Sequence, residues 1–265
     1  MIDLTADLSA PERLVLAVDT SERPRAAYLA GVARDAGALI IKEGLEIVTA
    51  ENIAFCAENA GNAGLEWVAD AKLDDIPNTT AAAVKNIISV DHPPSAITIH
   101  ANSGIDSMKA AQEIAGEAGV LMLAVTELTS KKPFQLKDSL NFILRQLNIE
   151  HSELDEKQVR RAFVYDKAIA AHYSGIGGLV ASAKELKDPI GLDPRLKSKV
   201  SMIPGTRSLG AATHDQQNVT TPEQAIIDGA TLLVIGRQVT QSDDPEQEFS
   251  AVTEEVQMGL DKRAA

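Results

Sequence analysis

"VADAKLDDIPNTT", residues 68–80, sets charges where a buried element should end. Val68 and Ala69 continue an apolar run, and Asp70, Lys72 and Asp75 follow within six positions. Side chains alternate faces along a strand, so the spacing puts Asp70 and Lys72 on one face. Pro77 suits the first turn of a helix. The stretch reads as the C-terminal end of a strand passing into a helix. Taken alone, Asp70 and Lys72 could be a structural ion pair and Asp75 a helix N-cap.

The same strand-to-helix passage recurs along the chain. Strand candidates are 13–19, 38–42, 65–72, 96–101, 120–126, 178–182, 199–204 and 231–237. Helical patterns lie between them at 22–36, 45–60, 76–89, 105–117, 155–173, 222–229 and 245–261. The strands are nearly continuous in apolar residues, as strands covered on both faces are. Alternation of this kind implies an α/β fold with a parallel sheet. Eight units in 265 residues favour a closed TIM (β/α)8 barrel over an open sheet. No linker divides the chain, so residues 1–265 are expected to form a single domain. Its longest connection, about 127–177, has helical content of its own in "LKDSLNFILRQLN" and reads as an elaborated segment after strand five.

Composition agrees. Apolar residues make up 45% and aromatics 3%, so the core is built of Ala, Val, Ile and Leu. The net charge of −13 argues against a nucleic-acid partner. Cys56 is the only cysteine, which excludes an intramolecular disulfide, and its helical setting reads as core. No signal peptide or membrane-length apolar run is seen, so the expectation is a cytoplasmic protein with no membrane partner.

In such a barrel the active site forms at the C-terminal ends of the strands. Asp19, Lys42, Asp70 with Lys72, and His100 end strands one to four, and Thr129 and Ser130 follow strand five. "PGTR" (204–207) and "IGR" (235–237) end strands seven and eight, where barrels often hold phosphate. Arg237 beside Gly236 suits such a contact. His92, His151, His172 and His214 show no metal-ligand spacing. Glu43 and Glu127 read as solvated or structural.

These residues together resemble the orotidine 5′-monophosphate decarboxylase family along most of the chain. Its Asp-x-Lys-x-x-Asp-Ile-Pro-x-Thr motif stands here as "DAKLDDIPNT" (70–79). "LAVD" (16–19), "IKEG" (41–44), "IHANSG" (99–104), "VTELTS" (125–130), "IPGTRS" (203–208), "DQQNVTTPEQA" (215–225) and "VIGRQVT" (234–240) follow the family's order. The chain departs from it at Thr206, where an apolar residue is usual, and at Asn218, where a basic one is common.

The resemblance implies decarboxylation of orotidine 5′-monophosphate to UMP, the last step of de novo pyrimidine biosynthesis, with no metal and no organic cofactor. It makes Lys42, Asp70, Lys72 and Asp75 the charged catalytic network, with Lys72 protonating C6. It gives the ribose hydroxyls to Asp19 and Lys42, and the pyrimidine to Thr129 or Ser130. The phosphate would go to Gln216, Gly236 and Arg237, with Pro204 and Arg207 beside them and 208–215 closing over it. It implies a homodimer in which Asp75, Ile76 and Thr79 complete the neighbouring subunit's site. Related sugar-phosphate decarboxylases and synthases use Mg²⁺ held by an acidic residue near the end of strand two, where this chain has Lys42. A non-catalytic nucleotide-phosphate sensor on the same barrel, and polar strand ends that only rigidify its mouth, are the remaining alternatives.

Overall fold

A computed structural model describes residues 7–149, 153–197, 199–209 and 220–264. Eight strands form a closed parallel barrel in chain order. They are β1 Leu14–Val18, β2 Ile40–Gly44, β3 Glu66–Leu73, β4 Ala96–His100, β5 Leu121–Val125, β6 Gly178–Val180, β7 Val200–Pro204 and β8 Leu232–Ile235. β1 pairs with β8 as well as β2, which closes the ring.

Alternation along each strand sorts the side chains into two cores. Val15, Ala17, Ile40, Val68, Ala96, Leu123, Val125, Val180, Val200, Met202, Leu232 and Val234 fill the barrel interior. Leu14, Leu16, Val18, Ile41, Trp67, Ala69, Ile97 and Ile99 face the helical layer. Counting by twos from the interior set leads to the mouth. Ile40 is followed by Lys42, Val68 by Asp70, Ala96 by Thr98 and His100, and Ala17 by Asp19. The strand pattern that buries the core thus also delivers the polar groups.

Proline punctuates the strand-to-helix turns. Pro77, Pro133, Pro222 and Pro245 each open a helix, at Pro77–Ile88, Pro133–Gln146, Pro222–Ile227 and Pro245–Ala264. Their fixed φ suits that position and no intrahelical N–H is lost.

Two expectations are corrected. The helix expected over 45–60 is two helices, Leu45–Ala50 and Ile53–Ala63. Asn52 separates them with extended backbone, and its Oδ1 accepts from Phe55 N at 2.9 Å, so the asparagine caps the second helix. Between β6 and β7, where no helix was expected, lie Ala183–Lys187 and Pro194–Lys197. Ser182 and Glu185 form a capping box that starts the first. The segment after β5 holds two helices, Pro133–Gln146 and Glu156–Tyr173, in line with the helical content expected in "LKDSLNFILRQLN" and over 155–173. Among the described residues, no helix is long and apolar enough to cross a membrane.

Candidate active site

At the C-terminal mouth lies a cavity of about 890 Å³. Its lining includes Asp19, Lys42, Asp70, Lys72, Thr129, Pro204, Arg207, Gly236 and Arg237. With Val180 and Ala181 at the end of β6, residues from seven of the eight strand ends meet in one space.

Asp70 is the centre of a charged cluster. Its Oδ2 accepts from Lys72 Nζ at 2.8 Å and lies 3.0 Å from Lys42 Nζ. Its Oδ1 accepts from Thr98 Oγ1 at 2.9 Å. Lys42 Nζ also donates to Asp19 Oδ1 at 3.1 Å. Asp70 and Lys42 are buried, and Lys72 reaches the cavity. Burial alone would raise the Asp70 pKa; the Lys42 and Lys72 ammoniums outweigh it and hold the carboxyl at about 2. Burial likewise opposes the charge on Lys42, but Asp70 and Asp19 overcome it and raise its pKa. Gly44 leaves room for this packing. A Cβ there would stand 2.9 Å from Asp19 Oδ1 and 3.2 Å from Lys42 Nζ.

The local backbone departs from a regular strand. The β3–β4 register shifts between Ala69 and Leu73. Lys72 has a φ of 45°, a left-handed value that a non-glycine residue adopts at a cost. Its N–H donates to Thr98 Oγ1 at 2.9 Å, so the threonine holds the displaced backbone as well as the Asp70 carboxylate. Lys72 meets Asp70 through this bulge, and simple alternation does not describe the end of β3.

Two guanidiniums, of Arg207 and Arg237, also line the cavity. Arg207 is buried, donates Nη1 to the Thr206 carbonyl at 2.7 Å, and its Nε has no partner among the described residues. Burial and the nearby Arg237 both lower its pKa. Two adjacent guanidiniums in a partly desolvated wall favour an anion between them. The expected contact at Gln216, and 210–215 of the expected closing segment, lie outside the described residues.

Asp75, Ile76 and Thr79 stand apart. All three are exposed and none is among the residues lining the cavity. Asp75 is not the cap of the helix Pro77–Ile88; that position falls on Ile76, which has no side-chain cap bond. Asp75 Oδ1 accepts from Ile76 N at 2.7 Å, and its carbonyl accepts from Thr80 Oγ1 and Ser107 Oγ at 3.1 and 2.6 Å. Of the two candidates after β5, Thr129 lines the cavity and Ser130 is exposed outside it.

Other groups belong to this region although no role was read for them. Thr98 lies two residues before His100, on the interior face that counting by twos from Ala96 reaches. Arg25, in the first turn of the helix Arg23–Asp35, lines the cavity and donates to the Thr240 carbonyl. Glu127 and Glu43 are both buried, which removes the solvated reading for each. Glu127 pairs with Lys167 at 2.6 Å. Glu43 points to the helical layer, where Asn59 Nδ2 donates to its Oε1 at 2.8 Å. Burial pushes the Glu43 carboxyl up to about 7. His100 is buried beside the site, and its Nδ1 accepts from Asn102 N at 3.2 Å. Burial and the Lys167 charge lower its pKa.

Comparison with known proteins agrees with the geometry. Residues 12–252 match the family described as "Orotidine 5'-phosphate decarboxylase / HUMPS family". The orotidine 5'-phosphate decarboxylase of Erythrobacter litoralis is 35% identical over 207 residues, 78% of this chain and 83% of that protein. The protein of the same name from Afipia carboxidovorans is 33% identical over 246 residues, 92% of this chain and 94% of its own. An uncharacterized conserved protein from Geobacillus kaustophilus shares the fold, with a TM-score of 0.66 and 24% identity over 92% of this chain and 99% of that one.

Proposed function

The chain belongs to the orotidine 5'-phosphate decarboxylase / HUMPS family, and from that premise we propose that it converts orotidine 5′-monophosphate to UMP and CO₂, within pyrimidine biosynthesis. One observation carries this choice within the family. The Asp70 carboxylate is bracketed by the Lys42 and Lys72 ammoniums at 3.0 and 2.8 Å, in a cavity that Arg207 and Arg237 also line. A sugar-phosphate enzyme that uses Mg²⁺ would need anionic ligands where Lys42 stands, and an ammonium there repels a dication.

The chemistry explains why such costly charges suit the site. Loss of CO₂ breaks the bond to C6 and leaves its electron pair on a ring carbon with no adjacent carbonyl. Fixed positive charge beside that carbon lowers the barrier, because it is aimed in advance at charge that develops only in the transition state. Lys72 is the group we assign to this task. Its ammonium then gives a proton to C6, and the resulting amine takes one back from solvent. Asp70, ionised at neutral pH, faces the departing carboxylate and opposes it while it is still charged. Lys42 holds Asp70 in its charged form and Asp19 in reach of the ribose hydroxyls. Thr129 meets the pyrimidine. Arg207, Gly236 and Arg237 grip the phosphate, and that remote binding energy can offset the strain at the reacting end.

We further propose a homodimer in which Asp75, Ile76 and Thr79 of each subunit complete the other's site. Support comes from their exposure at the rim, outside their own cavity. Ile76 in particular is an apolar side chain left 65% accessible. The cytoplasm is where phosphorylated, membrane-impermeant nucleotides would meet the enzyme.

The test follows orotidine 5′-monophosphate by its ultraviolet absorbance, with excess EDTA present. Loss of substrate absorbance with formation of UMP is expected. Inertness toward this nucleotide, with Mg²⁺-dependent turnover of a sugar phosphate, would overturn the proposal in favour of the other branch of the family. Tight nucleotide binding without turnover would overturn it in favour of a sensor.

A further inference from the structure

The turn after β5 carries Thr129, and it is held from behind by one helix. Glu127, at its start, is buried and accepts from Lys167 Nζ at 2.6 Å. Lys131, at its end, has its carbonyl bonded by Arg160 Nη1 at 2.8 Å. Arg160 and Lys167 both belong to the helix Glu156–Tyr173 and are both buried. They are seven residues apart, roughly two turns, and so project from one helix face. Neither is among the residues lining the cavity.

The anchoring continues on both sides. Arg160 Nε donates to Glu185 Oε1 at 2.7 Å, which ties the helix to the element after β6. Lys131 Nζ lies 3.4 Å from Glu127 Oε1, so the two ends of the turn also meet each other. Thr126 donates from N and Oγ1 to the Val180 carbonyl at 3.1 and 3.2 Å, fixing the base of the turn to β6. Every one of these bonds ends on residues 126–131 or on the helix that grips them.

We propose that Arg160 and Lys167 form a two-point clamp that positions the turn 127–131 so that Thr129 meets the pyrimidine ring. This inference rests on the functional reading above. It assigns a task to the long segment after β5, and it makes Arg160 and Lys167 positioning residues that act through Glu127 and the Lys131 carbonyl. Buried, charge-assisted bonds suit this work, because holding a turn within a fraction of an ångström requires short contacts that do not exchange with water.

The clamp has a signature that general structural support lacks. It should matter to a ligand that has the base and be silent to one that lacks it. Calorimetric titration of UMP and of ribose 5-phosphate into wild type, Lys167→Met and Glu127→Gln separates the two cases. The expected result is UMP binding weakened about ten-fold in both variants, with ribose 5-phosphate binding within two-fold of wild type. Lys167→Arg, which keeps a cation on the Glu127 carboxylate, should restore most of the loss. Unchanged UMP affinity in the variants would overturn the clamp. Equal weakening of both ligands would also overturn it, as a loss of general stability. If Lys167→Met does not fold, Glu127→Gln with its near-identical shape decides by the same comparison. A wild-type protein that turns over no orotidine 5′-monophosphate and binds no UMP would overturn the functional reading itself, and the clamp's role with it.

Discussion

Lys72 Nζ stands 2.8 Å from Asp70 Oδ2, although the backbone between them turns out of the strand into a left-handed φ at Lys72. The bulge gives Lys72 its position. Its amide is held by Thr98, and its ammonium is delivered to the carboxylate and to the cavity.

Lys72→Ala should abolish turnover while the protein stays folded. A positioned proton donor and a preorganised charge each contribute on the order of 10² to 10³ in rate, so a loss of at least about 10³-fold is expected. Absorbance kinetics give the rate and circular dichroism the fold. Near-normal kcat in the variant would remove Lys72 from the reaction.

Mixing two dead variants probes the shared site. Lys72→Ala and Asp75→Asn should each be inactive alone. If Asp75 serves the neighbouring subunit, a hybrid dimer collects both lesions in one site and leaves the other intact. Random reassortment of equal amounts then restores about a quarter of the wild-type sites. No recovery after subunit exchange, checked by mass spectrometry of the hybrid, would argue that Asp75 acts within its own subunit.

Arg237→Ala should act mainly on binding. Loss of one charge-assisted grip on a phosphate is worth about 1.5–3 kcal/mol, or roughly ten- to 100-fold in KM. Lysine should not replace either Arg207 or Arg237 well, because an ammonium cannot bind two oxygens in the planar geometry of a guanidinium. Steady-state kinetics on both alanine and lysine variants test this, and an unchanged KM would move the phosphate elsewhere.

Glu43 should make stability fall with rising pH. Burial raises its carboxyl from the ordinary 4.5 to about 7, so the folded protein binds the proton more tightly than the unfolded chain. Stability from this group is complete below about pH 4.5 and declines until the folded carboxyl ionises near 7. Glu43→Gln keeps the shape and the Asn59 contact but cannot ionise. Its stability relative to wild type should therefore rise from near zero at pH 4.5 to as much as about 3 kcal/mol at pH 8. Urea denaturation at the two pH values measures it, and a difference that does not change with pH would refute the buried-acid account.

Most of the barrel was legible because its strands are apolar on both faces and its turns are marked by proline. Eight strands emerge from that pattern, and so do the mouth residues reached by counting in twos. Legibility stopped where backbone and side chains departed from their periods. Nothing in "DAKLDD" signals a left-handed lysine, since that conformation is imposed by pairing with β4 and by the Thr98 hydroxyl twenty-six residues away. Asn52 breaks a helix that apolar spacing alone would have continued. The burial of Glu43 and Glu127 depends on partners sixteen and forty residues distant, which no local pattern records. Arg25 could have been suspected from its place in the first turn after a barrel strand, but one arginine in a helix carries no such signal unaided.

The left-handed backbone at Lys72 sets the interests of the fold against those of the reaction. A glycine would sit at that angle without the roughly 1 kcal/mol that a side chain incurs there. Glycine has no ammonium. Glycine at residue 72 would therefore relax the backbone while leaving the buried Asp70 carboxylate with one cation fewer, and in the proposed reaction it would also remove the proton donor.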